Sequence, residues 1–204
     1  AKLKSYKNDI LTQDSIKSLQ ADVQEFLKSR KAFQATLQPP EITLSSDQRN
    51  AFIKLEIKNA DQFEFKIIGS TQISSLLTLD DTLDLDNIPT GGNNLVAELT
   101  NRLRNYYSKK GYARLEISAD ETQAPQNHKK LVAFTVKEGS VIKIDKLLFQ
   151  GRYSRSPEKY EKLFMKNASD IIRQKLYYKN DLDQAVGFFV QELQNEGYLL
   201  AQVI

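Results

Sequence analysis

The chain has 204 residues, 40% of them hydrophobic and 27% charged, room for one ordinary domain or two to three small ones. Its 29 basic and 26 acidic residues leave a net charge of +3, without the basic stripe of a nucleic-acid binder. The absence of cysteine excludes disulfides, thiolate catalysis and Cys-ligated zinc, the single histidine removes His-rich metal sites, and no run of 18 apolar residues makes a transmembrane helix.

The chain opens at Ala1 with no signal-peptide pattern and reads as a mature chain or a cut fragment. A first helix is predicted from about Gln13 to Arg30 on Leu19, Val23, Phe26 and Leu27, followed by strands near residues 34–44 and 49–57. Phe63, Phe65 and Ile67 alternate as in a strand. Ile73, Leu76 and Leu77 suggest a short helix over 72–79, and Pro89, Gly91 and Gly92 a loop. Asn93 or Asn94 can cap a helix carried by Leu95, Leu99, Leu103 and Tyr106, which Gly111 ends as a C′ glycine. Ala113 to Ala119 reads as a strand, Asp120 to Asn127 as the turn with Pro125, and Lys130 to Val136 as the return strand. A further strand is expected at Val141 to Gln150 and a helix with Pro157 at its first position. A long helix follows from about Asp181 on Leu182, Val186, Phe189, Val190 and Leu193, with Asn180 and Asp183 as a capping pair. Gly187 inside that helix implies close packing against it.

The pattern repeats. KKGYARLEI (from Lys109) and NEGYLLAQV (from Asn195) are two copies of one local motif, and RKAFQATL (from Arg30) is a weaker third with Ala32 in the glycine's place. FKIIGS and LLFQGR end alternating apolar runs at Gly69 and Gly151. The period is roughly 80 residues, longer than in most solenoids. One period reads strand–helix–helix–strand–strand. Residues 1–61 then lack the first strand, 62–140 are complete, and 141–204 stop in the second strand, as expected of part of a larger protein.

Tyr106, Tyr107, Gly111, Tyr112, Ala113, Val136, Glu138, Gly139, Phe149 and Gly151, with Gly197 and Tyr198 in the last copy, resemble the POTRA (polypeptide-transport-associated) repeat. The first copy departs from it at Ala32 and at Asn59-Ala60. The resemblance implies an α+β fold: tandem β-α-α-β-β units, each a three-stranded mixed sheet with two helices on one face, the third strand central and the second at an edge. It also implies the periplasm-facing part of a BamA-like outer-membrane assembly or translocation protein that is not an enzyme. The implied partners are unfolded outer-membrane protein segments, accessory periplasmic subunits or lipoproteins, and the protein's own C-terminal membrane barrel. A purely structural spacer or partner-docking array is the alternative.

No catalytic triad, Cys/His cluster or phosphate loop is present, and no cofactor, metal or nucleic acid is expected. Asp80, Asp81, Asp84 and Asp86 lack the glycine and terminal Glu of an EF-hand loop and read as a solvated acidic loop. His128 belongs to the hairpin turn. The candidate peptide-binding edge is the second strand of the complete unit: Ala113, Arg114, Leu115, Glu116, Ile117 and Ser118, with Ala113, Leu115 and Ile117 facing the helices. Gly69, Gly111, Gly139, Ser140, Gly151 and Gly197 are the structural or hinge positions, with a short joint at 139–141. Pro39 and Pro40 make the equivalent edge of the first unit a poorer template.

Overall fold

Thr12 opens the first helix, α1 (Gln13–Ser29). Its side chain accepts from the Ser15 amide at 3.0 Å while Ser15 Oγ accepts from the Thr12 amide at 2.9 Å, a reciprocal capping box. The fold is seen in a computed structural model that describes residues 6, 10–92, 94–124, 128–150 and 154–203; Asn93, Pro125, Asn127 and Gly151 lie outside them. Leu19, Val23 and Leu27, four residues apart, bury one stripe of α1 against Ala32 and Ala35. Phe26 is not part of that stripe: it is 51% exposed, beneath the Arg30 guanidinium at 5.5 Å. Four short strands follow, β1 (Thr36–Leu37), β2 (Glu41–Leu44), β3 (Ala51–Lys54) and β4 (Ile57–Lys58), with β1 antiparallel to β4 and β2 to β3. Pro39 and Pro40 have no N–H to give and fall in the break between β1 and β2.

Residues 62–137 carry β5 (Gln62–Ile68), α2 (Leu76–Leu83), α3 (Leu95–Ser108), β6 (Glu116–Ala124) and β7 (Lys129–Lys137). The sheet order is β5-β7-β6, with β5 parallel to β7 from Gln62↔Lys129 to Ile68↔Thr135. This is a mixed α+β unit in which the last strand is central and the second lies at an edge. Phe63 and Phe65 of β5 and Val132, Phe134 and Val136 of β7 alternate into the core. Helix α2 starts later than the apolar pattern suggests, because Ser75 caps it by accepting from the Thr78 amide at 3.1 Å. Its buried stripe is therefore Leu79 and Leu83, while Leu76 and Leu77 are 65% and 74% exposed. In α3 the stripe is Leu95, Leu99, Leu103 and Tyr107 at strict i+4 spacing; Tyr106 is only half-buried.

The remaining described elements are helices: α4 (Pro157–Asn167) with Pro157 at its first position, α5 (Asp170–Arg173) and α6 (Lys179–Asn195). Phe164, Ala168, Ile172, Ala185 and Phe189 form their core. Two expected strands are not formed. Val141–Gln150 makes only the bridge Lys143↔Leu176, and Leu199–Val203 is turn and irregular chain. A strand needs a ladder partner, and the described residues of this region offer Val141–Gln150 only that one bridge. Tyr178 is the N-cap of α6, so Asn180 and Asp183 sit inside the helix, where Asp183 pairs with Lys179. Nothing packs on Gly187: a Cβ there has open space within 4 Å. None of the described helices is long and apolar enough to cross a membrane.

By contacts the chain forms two compact units, Ala1–Ile68 with Gln72–Thr100 and Ser118–Thr135, and Gly69–Thr71 with Asn101–Ile117 and Val136–Ile204. The same left-handed turn ends four of the described helices; after α5 it falls at Lys175, φ +61°, where the Leu176 amide reaches back to the Ile171 carbonyl at 3.0 Å. Lys31, Gly111 and Gly197 follow α1, α3 and α6 at φ of +57°, +87° and +98°. In each, the next amide reaches back to a carbonyl five residues earlier: Ala32 to Leu27 at 2.9 Å, Tyr112 to Tyr107 at 3.2 Å, Tyr198 to Leu193 at 3.0 Å. The first copy is thus shifted by one from its sequence match: Lys31, not Ala32, holds the glycine's place.

Candidate functional site

Strand β6 presents the candidate edge. The chain reaches it from the left-handed turn at Gly111 through Tyr112, Ala113, Arg114 and Leu115, and Ala113 and Arg114 are exposed turn residues. The expected strand start at Ala113 is therefore corrected to Glu116, because the helix-ending turn at Gly111 and the packing of the Arg114 carbonyl against Gly139 consume those residues. An added Cβ on Gly139 lies 3.4 Å from that oxygen. Of the six expected edge residues, Glu116, Ile117 and Ser118 are in the strand. Side chains alternate as a half-covered strand requires: Leu115, Ile117 and Ala119 are half-buried, while Glu116, Ser118 and Asp120 are exposed.

The strand also runs five residues past its expected end at Ala119, so Asp120 to Ala124, expected as the start of the turn, are strand. Sequence reading missed that extension because Asp120–Gln123 contains no apolar residue, which erases the period-2 signal. The complementary signal is across the hairpin: Lys137 pairs with Glu116 at 3.0 Å, and Lys130 with Glu121 at 3.0 Å. Nine residues without Pro or Gly give a continuous backbone edge on the side away from β7. On the far side of the sheet the outer edge of β5 is blocked at its start, where the Phe63 amide donates to the Lys31 carbonyl at 3.0 Å.

Gly69, one of the positions expected to be structural or hinges, adjoins a polar cluster at the close approach of β5 and β7. Gly69, at φ +81°, directs its missing Cβ to within 2.4 Å of the Val136 carbonyl oxygen, so only glycine fits. Next to it, Tyr107 Oη donates to Ser70 Oγ at 2.5 Å, and the Thr71 amide and hydroxyl donate to the Glu138 carboxylate at 2.6 and 2.5 Å. Burial of the Tyr107 phenol, ahead of the nearby Glu138 charge, pushes its pKa up to about 12, against the hydrogen bond that Ser70 can give the phenolate. Gly139 and Ser140 are exposed, Gly139 at φ +68°. Elsewhere, Asp80 pairs with Lys31 at 2.6 Å and Asp84 accepts from Asn87. His128, 89% exposed, stands 3.6 Å from Asp61 in the hairpin turn.

In the last region, Leu148, Phe149 and Gln150 face Tyr198–Val203 across an open groove of about 980 Å³, floored by Tyr160, Phe189 and Leu193.

No family model matches the chain, and no curated protein matches it. Solved structures do. The crystal structure of Haemophilus influenzae BamA POTRA3-5 is 15% identical over 94% of this chain and 72% of that one, with a TM-score of 0.39. BamA from Haemophilus ducreyi lacking POTRA domains 1-3 is 11% identical over 63% of this chain and 24% of that one, with a TM-score of 0.28. At those scores the fold assignment rests on the element order and strand register above.

Proposed function

We propose that this chain is a run of POTRA-like repeats that binds unfolded polypeptide by strand addition, as the periplasm-facing part of an outer-membrane assembly or translocation protein. The observation that carries the reading is the position of β6: a nine-residue strand at the sheet's rim, next to a central β7. An extended client can satisfy the open N–H and C=O groups without its sequence being read, which suits a carrier of many barrel strands. The clients are segments of unfolded outer-membrane proteins. Accessory subunits and a membrane barrel in the same protein complete the machine.

The repeats in this reading are 1–61, 62–140 and 141–204. Left-handed helix ends at Lys31, Gly111 and Gly197, 80 and 86 residues apart, support that division; the similar turn at Lys175 lies outside that spacing. No step of chemistry is assigned to any residue; the work is binding.

The test is a pair of proline substitutions at neighbouring positions, Ile117→Pro and Ser118→Pro. Adjacent amides of a strand point to opposite sides, so one variant loses a bond to β7 and the other only the outward N–H. The variant that keeps its circular dichroism should lose crosslinking to unfolded barrel-strand peptides. Unchanged crosslinking in that folded variant refutes β6 as the site.

A further inference from the structure

The left-handed helix ends do more than stop their helices. At Gly111 the carbonyl oxygen accepts from the Ile142 amide at 2.8 Å, 31 residues along the chain and within the same compact unit. At Lys31 the carbonyl accepts from the Phe63 amide at 3.0 Å, again within one unit. In both, the captured amide belongs to a bulky apolar residue that opens the next copy's first segment. We propose that these turns are latches, and that release of the Gly111 latch is the motion by which residues 139–144 become free to move.

The geometry explains why that latch can be opened alone. Residues 142–144 are held from two sides. On one, Gly111 takes the Ile142 amide, and the space a Cβ would fill is already lined by Val141 Cγ1 at 3.0 Å, the Ile142 carbonyl oxygen at 3.2 Å and Leu176 Cδ2 at 3.3 Å. On the other, the Tyr177 amide donates to the Ile142 carbonyl at 3.1 Å and the Ile144 amide to the Lys175 carbonyl at 2.8 Å. The bonds of Ile144 and Tyr177 flank one isolated bridge, Lys143↔Leu176, rather than a ladder, and Ile142, Ile144 and Tyr177 are only half-buried; Ile144 also rests on the core around Phe189, but α3 and α6 keep their own hydrogen bonds when these open. Gly139 and Ser140, just before the strap, are exposed and supply the backbone freedom. The joint expected at 139–141 is therefore a fastened strap whose fastener is at Gly111, far away in sequence.

The inference stands apart from strand addition at β6. Its test is amide hydrogen exchange on the 204-residue chain and two variants. Gly111→Ala crowds the strap, and Gly197→Ala imposes the same backbone strain at a turn with open space around it. In Gly111→Ala, the Ile142, Ile144 and Tyr177 amides should exchange about tenfold faster or more, as expected for losing one hydrogen bond, while α3 and α6 keep their protection. Gly197→Ala should leave those three amides unchanged. Should Gly111→Ala not fold, Ile142→Pro, which deletes the captured N–H, provides the same reading at Ile144 and Tyr177. Unchanged exchange at these amides in a folded variant, or loss of protection spread evenly over α3 and α6, overturns the latch.

Discussion

Three glycine-to-alanine substitutions, chemically identical, should change stability in opposite directions. Gly187 lies in the exposed interior of α6 with nothing within 4 Å of a new Cβ. Alanine there restores helix propensity and should stabilise by about 0.5–1 kcal/mol. Gly197 has equal space but sits at φ +98°. An L-residue costs about 1–2 kcal/mol in that region, offset in part by the stiffer unfolded chain, so Gly197→Ala should cost about 1 kcal/mol. Gly69 carries the same strain at φ +81° plus a Cβ 2.4 Å from the Val136 carbonyl oxygen. That oxygen is backbone of the central strand and cannot swing aside. The end of β5 must pull away from β7 and strain the adjacent Tyr107–Ser70 bond, bringing the total to about 3–4 kcal/mol at roughly 1 kcal/mol per hydrogen bond. Urea unfolding followed by circular dichroism gives the three values, provided the slope with urea stays constant. A destabilising Gly187→Ala, or a Gly69→Ala no worse than Gly197→Ala, refutes the reasoning that φ and free space decide the sign.

Other outcomes are as specific. Leu79→Ala should cost about 2–5 kcal/mol and Leu77→Ala less than about 0.5 kcal/mol in the same urea assay, since only the first is buried. Thr12→Ala removes one half of the capping box on α1 and should cost about 0.5–2 kcal/mol, read as a lower melting temperature. The Tyr107 pKa is raised to about 12 from an ordinary value of 10.0, so the folded state holds the phenol proton more tightly. Its contribution is complete below pH 10 and is lost as pH climbs from about 10 to 12, up to about 2–3 kcal/mol. Tyr107→Phe should flatten the fall in urea midpoint over that window, and an unaltered pH slope contradicts the assignment.

The element order of 62–140 is legible in the sequence because its signals are local and strong. Phe63 and Phe65 alternate, Leu95, Leu99 and Leu103 repeat at i+4, and Gly111 marks a helix end. What sequence hid was decided by tertiary partners. Leu76 and Leu77 look like core, yet Ser75 caps α2 one residue before them and turns them to solvent. Val141–Gln150 has a strand's composition but, among the described residues, only Leu176 to bridge with, and a strand cannot form without its ladder. Lys31 holds a left-handed turn that favours glycine, so the residue type misdirects and only the backbone reveals the match to Gly111. The candidate edge was half legible: Glu116–Ala119 alternate visibly, whereas Asp120–Ala124 join the strand through β7 and the Lys130–Glu121 pair.

Strand addition at β6 is tested most directly by hydrogen exchange of the Glu116–Ala124 amides with and without an unfolded outer-membrane barrel peptide. Alternate amides of β6, those pointing away from β7, should gain protection when peptide is added, while the intervening ones, already bonded to β7, should not change. Peptide that binds without protecting any β6 amide, or that protects the strand uniformly, contradicts strand addition there.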